Sequence, residues 1–487
     1  MKAIVSFIII SFVCCFTLTG QSPKFKEKYL KAITEESLKQ HVYTLASDSL
    51  KGRNTGSEGE HKAASYIIEN FEAHGLKPFN DTTYLQNIGL WSWHWGTMAF
   101  SHEGKNLEHY KDIVNLSSSP IEPSLTTKAV YLADGNDSIL NAIDLEGKIA
   151  VVLLENLKRW YSLSSKTKRK GAVALFVVHP TDEQAFTKLA TSMETVHKQQ
   201  SIYKNRPSFS AHLSKAFAIE QSTLAQLFDT SFDKLVKTSD LKKIKKLNQP
   251  KITISCPIII EKAEANNVAG YLPGKDNTTD AIVITAHYDH IGERYNGICV
   301  GADDNASGTA AVMELAKAFA PLKGKLDKNL IFLTTSGEEK GLLGAFYFAD
   351  HPNEHRFNIK ANVNIDMIGR IDSTHKSNYI YTIGNNHYPE FDSLLHVANN
   401  EIEPLHIQYD YNESQGFDNF LRLSDHYAFH RLNIPVMGFF SGLHKDYHKP
   451  SDTPDKIDYN EMTQRVKLIF TTTFLAAQKT AFSQQDD

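Results

Sequence analysis

The chain has little cysteine. There are 4 in 487 residues, and Cys14 and Cys15 fall in an apolar leader, which leaves Cys256 and Cys299. Two cysteines cannot build a disulfide framework, so the fold must stand on its core; the sequence leaves open whether they pair. Excess charge is also small. A formal net charge of -4 offers no overall basic field for nucleic acid or an anionic membrane, and no nucleic-acid partner is expected. The clusters Lys166–Lys170 and Lys242–Lys246 read as solvated loops or helix faces. Beyond the leader no apolar run approaches the ~20 residues that a spanning helix needs. An H-E-x-x-H motif is missing, and Gly438-Phe439-Phe440-Ser441-Gly442 is not a G-x-S-x-G elbow.

What is present begins at the amino terminus. Lys2 precedes an almost unbroken apolar stretch from Ile4 to Leu18, followed by Gly20 and Gln21. This pattern predicts an export signal over residues 1–20, and so a periplasmic, cell-surface or secreted protein with no membrane span in its mature form. The length leaves room for two packed domains. Residues 21–94 read as a helical part of the main domain, with apolar positions at helical spacing over 26–47 and 57–75 (Leu38, Val42, Leu45, then Ala63, Ala64, Ile67, Phe71). Gly52-Arg53-Asn54-Thr55-Gly56-Ser57 is a polar loop between them. Over residues 95–257 short β-like runs appear at Ala129–Leu132, Ile149–Leu154 and Ala172–Val178, which predicts an inserted β-rich domain without a cluster of metal-type side chains. Trp91, Trp93 and Trp95 are expected to pack at a domain junction. From 258 to 480 candidate strands Ala281–Ala286, Leu330–Thr335, Ala361–Ile365, Tyr379–Ile383 and Pro435–Phe440 alternate with helices at Ala306–Phe319 and Leu342–Ala349. That alternation predicts an α/β fold with a mixed, mostly parallel sheet and helices on both faces.

Three of these strands run into metal-type side chains: His287, the pair Glu338-Glu339, and Asp366. Ligands of open α/β sheets bind beyond the carboxyl ends of the strands, so three strands deliver imidazole or carboxylate to one edge. A small-residue loop adds Asp303, and a late loop adds His448. Two imidazoles and three carboxylates suit two Zn²⁺ ions if one carboxylate bridges them, and such ions, ~3.5–4 Å apart, can act jointly on one water. Neighbouring side chains of an extended segment point to different sides, so Glu339 can ligate while Glu338 faces the water as general base.

Five strings occur in order: AHYDH (286–290), GADDNASG (301–308), TTSGEEKGLLGA (334–345), NIDMIGR (364–370) and DYHKPSDT (446–453). Together they resemble metallopeptidase family 28, the co-catalytic two-zinc aminopeptidases that include bacterial leucyl and aminopeptidase Y-like enzymes. LEGKIAVVLLE (145–155) and KGAVALFVV (170–178) resemble the core strands of a protease-associated domain. The resemblance implies a zinc exopeptidase (phosphorylase/hydrolase-like) fold, two Zn²⁺ per chain, and peptides or small proteins as substrates. It also implies roles: His287 and Asp366 on one ion, Glu339 and His448 on the other, Asp303 bridging, and Glu338 as the base. Asp289 would fix the tautomer of His287, Asp304 would lie behind the ligands after a cis Asp303-Asp304 bond, and Tyr447 would steady the tetrahedral intermediate. His290, His426 and His444 are expected to line the pocket. Carboxypeptidase action in the same family, a one-zinc glutaminyl cyclase and a non-catalytic receptor-like scaffold are the alternatives; the full donor set and base argue against the last two. Oligomeric state is left open.

Overall fold

The computed structural model describes residues 23–198, 201–208, 215–294, 296–354, 356–412 and 419–478. The leader expected over residues 1–20 lies outside them. Strands covered by parallel neighbours are buried on both faces, which is why continuous apolar runs, not alternating ones, form the centre of the sheet. Asn329–Thr335, Asp280–His287, Asn358–Ile365 and Val436–Phe440 lie side by side and parallel. Antiparallel Asn266–Leu272 flanks them on one side and Tyr379–Ile383 on the other. Lys77–Pro78 and Leu85–Asn87 both pair with Asn266–Leu272, and His406–Gln408 forms the far edge. The fold is therefore α/β with a mixed, centrally parallel sheet, and the five expected strands are present with ends displaced by up to three residues.

Gly308–Phe319 is apolar nearly all round, as a helix buried on all sides must be. It packs on Asp280–His287 and Asn329–Thr335 and against Glu35–Leu45, Glu58–Ala73 and Tyr459–Gln478. Its buried Glu314 accepts hydrogen bonds from Thr34 N (3.1 Å), Ser37 Oγ (2.7 Å) and Lys317 Nζ (3.0 Å), which ties the amino-terminal helices to the core. The helix expected over 26–47 is two helices, Pro23–Leu30 and Glu35–Leu45. Thr34 divides them because its hydroxyl caps the second, accepting from Ser37 N at 3.2 Å. On another part of the sheet, Leu343–Asp350 packs with His426–His430, which touches Asn358–Ile365 and Val436–Phe440. Among the described residues no helix is long and apolar enough to cross a membrane.

Between residues 99 and 256 lies a second sheet of eight strands with its own apolar core. Its parallel centre is Ile121–Tyr131, Ile149–Leu153, Ala174–Val178 and Ala216–Ile219. This segment is less purely β than its sequence implies, since helices Trp160–Arg169 and Gln184–His197 belong to it. The Lys166 cluster lies in the last turn of the first of these. Trp91–Trp95 is a strand of a separate three-stranded sheet with Ser201–Tyr203 and Ile258–Lys262. Trp93 is buried and meets Trp95 edge-on at 5.3 Å. Cys256 and Cys299 are both free and buried.

Candidate metal centre

His287 is the last residue of its strand, and its ring is fixed from behind. Nδ1 lies 3.0 Å from the main-chain oxygen of Asp289, to which it donates, so Nε2 is left as the free nitrogen. Nε2 is 3.3 Å from Asp304 Oδ1, 3.4 Å from Asp366 Oδ1 and 3.9 Å from Glu338 Oε2. The Asp289 carboxylate does not perform the orientation expected of it, being 3.9 Å from the ring. It is engaged elsewhere, accepting from Thr55 Oγ1 at 2.7 Å and from Glu338 N at 3.1 Å. Asp289 therefore orients His287 through its backbone and the Glu338 turn through its side chain.

A second donor set lies alongside. His448 Nε2 is 3.0 Å from Asp304 Oδ2 and 3.4 Å from Glu339 Oε2. His290 Nδ1 is 2.8 Å from Glu339 Oε1 and 3.6 Å from Asp304 Oδ2. Asp304 thus touches both sets, one oxygen toward His287 and the other toward His448. This corrects the expectation for Asp303 and for Asp304, whose places are exchanged. Asp303 is turned away: its Oδ1 accepts from Gly369 N at 2.7 Å, and its Oδ2 is 3.3 Å from His444 Nε2. The cis peptide is likewise one position further on, at Asp304-Asn305.

The loops that present these groups are held from below. Asp452 Oδ2 accepts the main-chain N–H groups of Asp303 (3.0 Å) and Asp304 (3.2 Å). Arg53, fully buried, donates to the carbonyl oxygens of Leu45, Tyr288, Val300 and Gly301. Glu338 and Glu339 follow Gly337, whose positive φ of 73° turns the chain out of the strand. Ser336 before them donates to Glu60 Oε1, and Asp366 Oδ2 accepts from Ser424 Oγ at 2.7 Å. Arg53, Glu60, Ser424, Asp425 and Asp452 were not legible as site residues. The polar loop at 52–57 was the only local signal for the first of them.

Electrostatics follow from packing so many carboxylates out of water. Burial, then the Asp366 and Glu339 carboxylates, hold the Glu338 carboxyl well above its usual range against the opposing pull of His287. Burial alone would lower His287, but Glu338 and Asp366 outweigh it and raise the imidazole. Burial would raise Asp304, yet the surrounding imidazoles, His290 first, hold it well below the ordinary carboxylate range. Burial pushes Asp425 up to about 7; its carboxylate accepts from Thr335 Oγ1 at 2.7 Å.

Next to Asp366 is a cavity of about 70 Å³, lined by Met367, Ile383, Phe420, Phe440, Leu443 and His426 among others. Burial pushes His426 down to about 4, so its ring is neutral at neutral pH. Tyr447 lies at the rim and stacks on His448 with ring centroids 3.8 Å apart. Of the three histidines expected to line the pocket, His426 does so; His290 lies against Glu339 and His444 against Asp303.

Fold and site together define an α/β protein with two adjoining clusters of metal-type side chains at the strand ends. Residues 267–473 match the model of Peptidase family M28. Aminopeptidase YwaD of Bacillus subtilis (strain 168) is 25% identical over 242 residues, 47% of this chain and 49% of that protein. Leucine aminopeptidase 2 of Arthroderma otae is 27% identical over 235 residues, 43% and 44% of the two chains. The chain thus spans about half the length of these curated relatives. Among solved structures, the zinc aminopeptidase BSAP from Bacillus subtilis aligns with a TM-score of 0.53 at 19% identity, covering 92% of this chain and 96% of that one. The aminopeptidase from Aneurinibacillus sp. strain AM-1 aligns with a TM-score of 0.51 at 20% identity, covering 95% and 98%. At such identities the likeness speaks for the fold.

Proposed function

We propose that the chain is an exported zinc aminopeptidase that holds two zinc ions and removes residues from the amino terminus of peptides. The observation that carries this reading is the pair of donor sets meeting at Asp304. Buried Asp304 Oδ2, Glu339 Oε1 and Asp366 Oδ1 have no hydrogen-bond partner. Leaving a buried polar atom unpaired costs ~1–3 kcal/mol, and more if it is charged; divalent cations would satisfy all of them. In this reading His287 and Asp366 would hold one ion and Glu339 and His448 the other, with Asp304 serving both. Bound metal would polarise the scissile carbonyl and make water a stronger nucleophile at neutral pH.

The chain's own groups do the rest. Glu338 takes a proton from the attacking water as the new C–O bond forms, and returns it to the amine nitrogen as the C–N bond breaks. Its Oε2 lies 3.9 Å from His287 Nε2, within the first donor set. Tyr447, whose phenol is pushed up by burial and then by the carboxylates around it, stays a donor for the carbonyl oxygen. The apolar cavity beside Asp366 would take the side chain of an apolar first residue. Names given to relatives, aminopeptidase YwaD and leucine aminopeptidase 2, agree with the direction of attack.

Three substrates test it: leucine amide with a free amine, its N-acetyl counterpart, and an N-acetylated dipeptide with a free carboxylate. Cleavage of the first alone is expected. Cleavage of the third alone replaces this reading with carboxypeptidase action. Export is checked separately by mass spectrometry of the mature protein, which should start near Gln21; an intact Met1 contradicts it.

A further inference from the structure

His290 has no part in the scheme above, yet it is the most conspicuous unused group in the molecule. Its side chain is 0% exposed, and neither ring nitrogen has a hydrogen-bond partner. An imidazole buried without partners loses its hydrogen bonds to water and recovers nothing, so something must occupy its lone pair. The ring is held in one place. The main-chain N–H of His290 donates to Arg53 O at 3.1 Å, and the ring lies so close over Gly301 that a Cβ there would come within 2.5 Å of it.

Where the ring points is informative. Nδ1 lies 2.8 Å from Glu339 Oε1, but the two atoms do not meet hydrogen-bond geometry, and each remains unpartnered. Two buried donor atoms this close that do not bond to each other are directed at a shared third position. Nδ1, an Asp304 oxygen and a Glu339 oxygen all lie within 4.8 Å of one another. His448 Nε2 approaches the same two carboxylates from the more open side, at 3.0 and 3.4 Å.

We propose that His290 is a direct ligand of the second ion, so that the chain encloses that ion with four side chains: His290, Asp304, Glu339 and His448. This rests on the two-zinc reading above and deepens it. Four protein ligands fill the coordination of tetrahedral zinc, as in structural sites, whereas three leave a position open. The set His287, Asp304 and Asp366 supplies three. The two positions are then unequal: one closed and tightly held, the other more weakly held and free to take water and substrate. As a neutral ligand, His290 would also complete the set without adding a further negative charge to a pocket crowded with carboxylates.

Purified full-length protein, stripped and titrated in zinc buffers, should show two binding steps, the tighter by ~10-fold or more. His290→Ala should weaken the tight step by more than ~100-fold, beyond the range for groups that lie behind the ligands, and leave the weaker step in place. His287→Ala should do the reverse. A second readout needs no variant: wild-type protein with ¹⁵N-labelled histidine and one equivalent of ¹¹³Cd²⁺ should show two imidazole nitrogens coupled to cadmium. One coupled nitrogen, or an unchanged tight step in folded His290→Ala, overturns the proposal and leaves the two-zinc reading standing. Wild-type protein that binds no zinc overturns both.

Discussion

Asp303 and Asp304 are adjacent and chemically identical, so replacing each by asparagine separates the two assignments sharply. Asp304 places one oxygen 3.3 Å from His287 Nε2 and the other 3.0 Å from His448 Nε2, and its side chain is 4% exposed. Asparagine there turns one acceptor into an N–H donor that faces an imidazole, and removes the one negative charge common to both donor sets. A unit charge pair at ~4 Å is worth about 4 kcal/mol at an effective dielectric of 20, so zinc affinity at the shared position should fall by ~10³ or more. Asp303 is different. Asparagine still offers Gly369 N an oxygen in place of Oδ1, now 2.7 Å away, and only the charged part of that bond is lost. The expected cost is ~1–2 kcal/mol of stability, with zinc affinity changed by no more than ~100-fold, the range for groups behind the ligands. Zinc content after dialysis against buffered metal, together with thermal unfolding, reads both quantities. If Asp304→Asn keeps two tight zinc ions while Asp303→Asn loses them, Asp303 is the bridging carboxylate after all and Asp304 lies behind it.

Further outcomes are expected elsewhere in the chain. Glu338→Gln should lower kcat by ~10²–10⁴ with zinc content unchanged, whereas Glu339→Gln should lower zinc content as well; near-normal kcat in the first variant refutes Glu338 as the base. In the inserted segment, burial pushes His197 down to about 4 from 6.5, and its Nδ1 meets Tyr110 Oη at 3.0 Å. Because the folded value lies below the unfolded one, the unfolded chain binds the proton first; stability is full above pH 6.5 and declines as pH falls from there to about 4, by up to ~3 kcal/mol. Thermal unfolding of wild type and His197→Gln at pH 7.5 and pH 5 checks it, the variant being expected to show the smaller pH dependence.

The parts of this molecule that could be read in advance are those where the local sequence carries the whole reason. A run such as Ala281–Ala286 has no polar position to turn outward, so it belongs in the middle of a sheet, and the polar residue that ends it must emerge at the edge. His287, Glu339, Asp366 and His448 were legible on that ground, or as a lone histidine in a loop. The choice between Asp303 and Asp304 was not, because it is made by groups distant in sequence. Gly369 N and His444 draw the first carboxylate away, and Asp452 holds both main-chain N–H groups. Arg53 fails for the same reason in a stronger form. Next to two glycines and an asparagine it reads as a solvated loop residue, yet four carbonyl oxygens from the 45, 288 and 300–301 segments close around it. A cation that satisfies carbonyls leaves no complementary charge in the sequence to search for. Its position directly beneath Gly301 and Tyr288 means that the same burial which hid it from sequence reasoning ties both metal-presenting loops to the amino-terminal helices. The site therefore depends on residues 35–73 as firmly as on the five strings that first revealed it.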